Sequence, residues 1–310
     1  MQKVIITGTL GFIGSNFIRK VVPKYSEYQF IGIDNAVKTY NLDNSFNDPN
    51  FKFYLADISD IHIMNNIFSI EKPNIVIGMA AESFVDNSIT NIAPFLHTNV
   101  IGTQVLIDMC LKYKAKLIHI STDEVYGQKL SVNDPAWIEN DPILPRNPYS
   151  CSKGASELIV NAAHYTHGLQ FNMTRSCNVF GPRQKRENLI PHIINSLIHN
   201  TEIKIHGTGN NFRQWVFVDD KIDAIMNILK NGKSNETYNI GTNSFYTNLE
   251  MVNYIAKLMN KDPKITFITD RKSHDMGYSV SADKLKTLGW KPQVSFNEGM
   301  KRTINWYLKK

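Results

Sequence analysis

The chain has 310 residues, 42% of them hydrophobic and 20% charged, which suits a globular protein of one large domain or two sharing an interface and excludes a low-complexity chain. Its net charge of +6 is spread out in short basic pairs, Lys185-Arg186 and Lys309-Lys310 among them, so no nucleic-acid partner is expected and an anionic small substrate explains the excess as well. Cys110, Cys151 and Cys177 lie far apart without metal-ligand spacing, no charged leader precedes the first apolar run, and no run is long enough to span a bilayer; free thiols, no metal, no membrane and a cytoplasmic location are the expectations.

Short apolar runs at 4–7, 30–33, 51–55, 75–79, 117–121 and 172–175 read as buried strands. Amphipathic stretches at 13–22, 63–69, 94–113 and 149–165 separate them as helices. Such alternation predicts an α/β fold, a doubly wound parallel sheet of Rossmann type, because parallel neighbours need a crossover and a helix supplies it. Beyond Gly181 the pattern changes: a turn-rich Gly207-Thr208-Gly209-Asn210-Asn211, shorter strands, and helices at 220–229, 249–259 and 296–308. The expected division is a dinucleotide-binding domain over 1–180 and a smaller substrate-binding domain over 181–310, with the chain crossing between them.

The first strand runs into Gly8-Thr9-Leu10-Gly11-Phe12-Ile13-Gly14, three glycines spaced three apart before a helix. Gly8 and Gly11 let the backbone turn tightly against a pyrophosphate, and Gly14 lets the helix lie close to the strand. The helix start then offers free N–H groups to phosphate. Asp34 ends the next strand, twenty residues after Gly14, where a carboxylate accepts from a ribose 2′-OH and repels a 2′-phosphate; the cofactor expected is NAD, not NADP. Asp57, after the third strand, is placed for the adenine. A plain structural turn with Asp34 as a helix cap is the alternative.

Tyr149-Ser150-Cys151-Ser152-Lys153 sets a phenol and an ammonium one helical turn apart on one face. The ammonium is expected to favour the phenolate and make a base that takes a proton from a sugar hydroxyl while hydride leaves the same carbon. Ser121-Thr122 ends an intervening strand, with Asp123-Glu124 directly after it.

In their order these motifs resemble the extended short-chain dehydrogenase/reductases that act on nucleotide sugars, over almost the whole chain: Gly8 to Gly14, Asp57-Ile58, Ala80-Ala81-Glu82-Ser83, Thr98-Asn99, Ser121 to Gly127, Tyr149 to Lys153, Asn178 to Pro182, Arg213 to Val218 and Leu288-Gly289-Trp290. The resemblance implies the fold, bound NAD, chemistry at the sugar C4, and cofactor contacts at Gly8, Gly11, Phe12, Ile13, Gly14, Asp34, Asp57, Ile58, Ala80, Ala81, Ser83, Thr98, Ser121, Tyr149 and Lys153. Thr122-Asp123-Glu124 is similar to the dTDP- and UDP-glucose 4,6-dehydratases, whereas 4-epimerases of the family carry small non-ionisable residues there. With a C4 ketone formed, Glu124 would take the acidified C5 proton, a protonated Asp123 would give a proton to the leaving C6 oxygen, and Thr122 would hold the C4 oxygen and orient Tyr149. Ser83, Thr122, Asn178, Arg213 and His274 are the implied substrate contacts, Asn178 and Arg213 at the diphosphate and His274 over the nucleotide. Two residues depart from the pattern: Phe84 stands where glucose dehydratases usually have His, and Gly277 where they usually have Arg. UDP-N-acetylglucosamine therefore stays open beside UDP- or dTDP-glucose, as does 5-epimerisation. A 4-epimerase or a catalytically silent NAD-binding sensor is the alternative function. In relatives the helices at 94–113 and 149–165 pair across a two-fold axis, so a homodimer is expected, with Ile101, Val105, Ile159 and Ala163 spaced to contribute.

Overall fold

The computed structural model describes residues 1–36 and 48–309; Lys310 of the basic end lies outside them. The strands in chain order are β1 (Gln2–Thr7), β2 (Tyr28–Asp34), β3 (Phe51–Leu55), β4 (Ile75–Gly78), β5 (Lys116–Thr122), β6 (Phe171–Ser176), β7 (Asn178–Phe180), β8 (Ile203–His206), β9 (Phe212–Phe217), β10 (Glu236–Ile240), β11 (Phe245–Thr247) and β12 (Ile265–Ile268). Between and after them run α1 (Phe12–Val21), α2 (Ile61–Glu71), α3 (Val85–Thr90), α4 (Ala93–Phe95), α5 (Gly102–Tyr113), α6 (Pro148–His167), α7 (Leu189–His199), α8 (Val218–Asn231), α9 (Asn248–Met259), α10 (Asp283–Lys286) and α11 (Phe296–Leu308).

Seven strands form one parallel sheet in the order β10-β6-β5-β4-β1-β2-β3. All six strands read from the sequence are in it; the inner ones bury both faces, while β3 at the edge stays half-exposed. Val4 and Ile6 pack into one core layer with Phe17 of α1 and Ile225 of α8, while Ile5 between them joins Met64 of α2 and Leu106 of α5 on the other side. The chain winds outward from β1 to β2 and β3, then crosses back to place β4 on the other flank of β1. Ligands of open α/β sheets bind at such a reversal, outside the carboxyl ends of the strands.

After β6 the chain builds two small sheets, β11-β9-β7 and β12-β8, and α8 leads back into the large sheet through β10, paired with β6. The stretch expected as one helix over 94–113 is α4, a π-helical turn (Leu96–Ile101) and α5. The turn swings Asn99 inward, where its amide bonds the Glu82 N–H and carbonyl and the Ser152 hydroxyl, each at 2.9 Å. Val105 and Ala163, expected on a dimer face, are buried in the sheet-facing core, whereas Ile101 is exposed and Ile159 half-buried. Among the described residues no helix is long and apolar enough to cross a membrane.

Candidate active site

The glycine turn closes against the end of β4. Gly8 has φ +74°, and a Cβ on it would stand 2.8 Å from the Ala80 backbone; the Thr7 hydroxyl accepts from the Met79 and Ala80 N–H groups at 3.1 Å each. A Cβ on Gly14 would overlap the Gly8 carbonyl, so α1 abuts the turn as the motif required. Gly8, Gly11, Asp34, Asp57, Ile58, Ala80, Ala81, Ser83 and Thr98 line a cleft of about 390 Å³ there. Phe12, Ile13 and Gly14 form the first turn of α1 behind it. One Asp34 oxygen accepts from the Leu10 N–H and the other from the Ala36 N–H, both at 2.9 Å, so the carboxylate braces the turn as well as lining the cleft. At Asp57 burial raises the carboxyl pKa, but the Ser59 hydroxyl and N–H and the Asn35 amide outweigh it and hold the group below its ordinary value. A glycine cradle, a helix N-terminus with no acidic side chain in its first turn, and carboxylates at the far end fit a dinucleotide.

The chemistry-bearing side chains are set behind this cleft by β5 and α6. Thr122 ends β5 and caps the short turn Asp123–Tyr126 through its hydroxyl, which accepts from the Glu124 N–H at 3.3 Å. Asn147 caps α6 and donates to Glu124 Oε2 at 3.1 Å, tying the helix that carries Tyr149 and Lys153 to the carboxyl pair. The Phe95 ring meets the Tyr149 ring edge-on with centroids 6.4 Å apart, and the Ser88 hydroxyl accepts from the Tyr149 N–H. Ser121, Tyr149 and Lys153 are buried and line neither cleft.

Burial raises the Asp123 carboxyl to about 8, Glu124 adds to the rise, and Arg213, Thr122 and Lys221 oppose it. Asp123 is therefore mostly protonated near neutrality, and its Oδ2 has no protein partner. Burial also raises Glu124, against the Asn147 hydrogen bond and the charges of Arg213 and Arg271. One expectation needs correction. The Tyr149 phenol is pushed up, first by burial and then by Glu124, with only the Thr122 hydroxyl pulling down. Lys153, lowered by burial to about 8, donates to the Ile120 carbonyl at 2.7 Å instead of stabilising the phenolate directly.

A second cleft, of about 410 Å³, meets the first at Ser83, Phe84, Glu187 and Asn188. Ser83, Glu124, Asn178, Arg213 and His274 line it; Thr122 lies behind. The Asn178 amide oxygen is buried without a partner. Arg213 Nη1 is held by the carbonyls of Phe212, Asp275 and Met276, and its guanidinium lies 4.8 Å from the Tyr278 ring centroid. His274 Nδ1 pairs with Asp270 at 2.6 Å. Several lining groups escaped the sequence reading. The Tyr278 hydroxyl reaches Asp275 at 2.5 Å and Glu124 at 3.4 Å, and Arg271 bridges the cleft to Asp86 on α3 at 3.2 Å. Lys204, His206 and His192 complete a basic wall. These residues come from a helix, a short strand and loops far apart in the chain; apart from Lys204 and His206, two residues apart on β8, no local spacing groups them. At Gly277 a Cβ would overlap the Phe212 ring, so that ring fills the space an arginine side chain would need.

A family model described as GDP-mannose 4,6 dehydratase matches residues 5–303. The dTDP-glucose 4,6-dehydratase of Haemophilus influenzae is 38% identical over 99% of this chain and 98% of its own. The crystal structure of dTDP-glucose 4,6-dehydratase from Streptomyces venezuelae with NAD bound superposes with a TM-score of 0.94 at 35% identity, covering 100% of this chain and 98% of that one. A UDP-glucose 4-epimerase from Thermotoga maritima is also similar, with a TM-score of 0.91, 29% identity and 99% of each chain covered.

Proposed function

The chain belongs to the GDP-mannose 4,6-dehydratase family, and we propose that it is an NAD-dependent nucleotide-sugar 4,6-dehydratase whose substrate is dTDP-glucose, the substrate named for relatives at 38% and 34% identity. The observation that carries the reading is the Asp123-Glu124 pair beside Thr122 and Tyr149, Asp123 buried and raised to about 8, Glu124 half-buried at the wall of the second cleft. A 4-epimerase needs no carboxylic acid at this place. A dehydratase needs one group able to donate a proton and one able to accept it.

Bound NAD supplies the hydride acceptor for C4, the hydride returned to C6, and a positive charge that favours the Tyr149 phenolate. Tyr149 takes the proton of the C4 hydroxyl, Thr122 holds the C4 oxygen, and Lys153, fixed on the Ile120 carbonyl, places a positive charge one turn below the phenol. Glu124, oriented by Asn147 and Tyr278, removes the C5 proton. Asp123 gives its proton to the C6 oxygen, which leaves as water. Gly8, Gly11, Asp34, Asp57 and Thr98 hold the cofactor; Asn178, Arg213 and His274 hold the diphosphate and nucleotide. The enzyme works as a cytoplasmic homodimer. Its dimer face is the exposed apolar strip of Leu96, Ile101 and Leu158 on the adjoining helices 96–113 and 148–167.

Incubating the purified protein with dTDP-glucose, UDP-glucose and UDP-N-acetylglucosamine and weighing the products by mass spectrometry tests this reading. Loss of one water from dTDP-glucose, with slower or no loss from the others, is the expected result. A product of unchanged mass and altered C4 stereochemistry would assign a 4-epimerase instead.

A further inference from the structure

The first cleft has an imbalance of charge. Among its lining residues Asp34, Asp57, Glu82 and Glu187 are acidic, and Lys185 is the one cation. Resting on the reading that this cleft holds NAD, we propose that Lys185 is a cofactor-binding residue whose ammonium pairs with the pyrophosphate from the side opposite the glycine turn.

Lys185 sits in the loop between β7 and α7, and that loop is pinned on both sides of it. The Pro182 carbonyl accepts from the Asn16 amide of α1 at 2.9 Å, which ties the loop to the same helix whose N-terminus faces the phosphates. Gln184 donates to the Val179 carbonyl at 3.1 Å, and the Tyr307 hydroxyl bonds the Gln184 carbonyl. The Lys185 carbonyl accepts from Asn188 twice, through its N–H at 3.1 Å and its amide at 3.3 Å. Fixing the backbone in this way brings the side chain to the cleft, where no described residue forms an ion pair or hydrogen bond with its ammonium. Glu187, two residues on, is exposed and points no partner to it. The cofactor carries two negative charges at its central pyrophosphate, flanked by the adenosine ribose on one side and the nicotinamide ribose on the other. The four carboxylates of the cleft repel that centre, and the partial charge of a helix terminus alone offsets them weakly. A lysine ammonium is a compact charge with three donors, suited to reach either phosphate without fixed geometry.

Lys185→Met and Lys185→Arg test the assignment on protein purified with its cofactor, by the rate at which bound NAD is lost on dilution at low and high salt. Lys185→Met is expected to lose NAD roughly tenfold faster than wild type at low salt, the scale of one lost charge-assisted bond, with the gap narrowing at high salt. Affinity for ADP-ribose should fall in step while affinity for adenosine, which lacks the pyrophosphate, does not. Lys185→Arg should stay near wild type. NAD loss from Lys185→Met at the wild-type rate, or a salt-independent loss accompanied by a lowered Tm, overturns the proposal and leaves the NAD site standing. A wild-type protein that binds no NAD overturns both.

Discussion

Asp123 and Glu124 are neighbours in sequence, the first buried and the second half-buried, and their carboxyls compete for charge. Burial and the adjacent Glu124 raise Asp123 to about 8, so its native form holds a proton that the unfolded chain releases near the ordinary carboxylate range. The native state then binds more protons than the unfolded one between those two values, and stability falls as pH rises through that window. Asp123→Asn removes the penalty: its Tm should match wild type near pH 4 and exceed it increasingly toward pH 8, a gain of a few kcal/mol by the usual value of about 1.4 kcal/mol per pKa unit. Wild-type turnover should decline above about pH 8 as the acid is lost. A Tm difference independent of pH would remove the buried proton from the account. Glu124→Gln should still permit oxidation at C4, so NADH absorbance should accumulate on the enzyme while water loss slows by roughly a hundredfold or more. Turnover of Glu124→Gln at the wild-type rate would exclude Glu124 as the C5 base.

At the level of elements, the turn between β1 and α1 is a close approach of backbone to backbone. Gly14 meets the Gly8 carbonyl, a backbone atom that cannot rotate away. Gly14→Ala should therefore lever α1 off the strand, costing about 1–3 kcal/mol and most of the bound NAD. A thermal melt and acid-released NAD would check it, and an unchanged value of either would show that the approach is looser than drawn. Most strands and the longer helices of this half were legible because they carry apolar runs with a clear period. The π turn at 96–101 was not: one extra residue in a helix leaves the apolar pattern almost intact, yet it decides that Asn99 faces Glu82 and Ser152. The short α3 was missed because a six-residue helix spans too few turns to show a stripe. The sequence reading did not include α7 (Leu189–His199) either, although its apolar face is strong; Pro191 at its third position falls in the first turn, where an absent N–H costs the helix nothing.

The whole molecule presents an apolar strip on the helices that flank the site. Leu96, Ile101 and Leu158 are 43%, 50% and 59% exposed, large for side chains of this kind. Light scattering is expected to give a dimer, and Leu158→Glu a monomer; a wild-type protein that stays monomeric at micromolar concentration would refute the assembly. The spacing that suggested Val105 and Ala163 for this face was correct as a helical stripe and wrong as to side. A helix packed between a sheet and a partner carries apolar residues on both faces, and periodicity alone does not say which meets which.

Local order in the chain determined the α/β alternation, the glycine turn, Asp34 at the end of β2, and the pairs Tyr149-Lys153 and Asp123-Glu124, because each is a short-range pattern whose geometry follows from one turn of helix or one strand end. Tertiary structure alone decided how those groups are charged. Lys153 turns to the Ile120 carbonyl, burial pushes the Tyr149 phenol up, and Asn147 and Tyr278, 23 and 154 residues from Glu124, set its orientation. The substrate wall is likewise a product of folding: Arg271 meets Asp86 across 185 residues of chain, and Phe212 takes the space beside Gly277. Desolvation and long-range contact have no period, so a linear reading cannot register them.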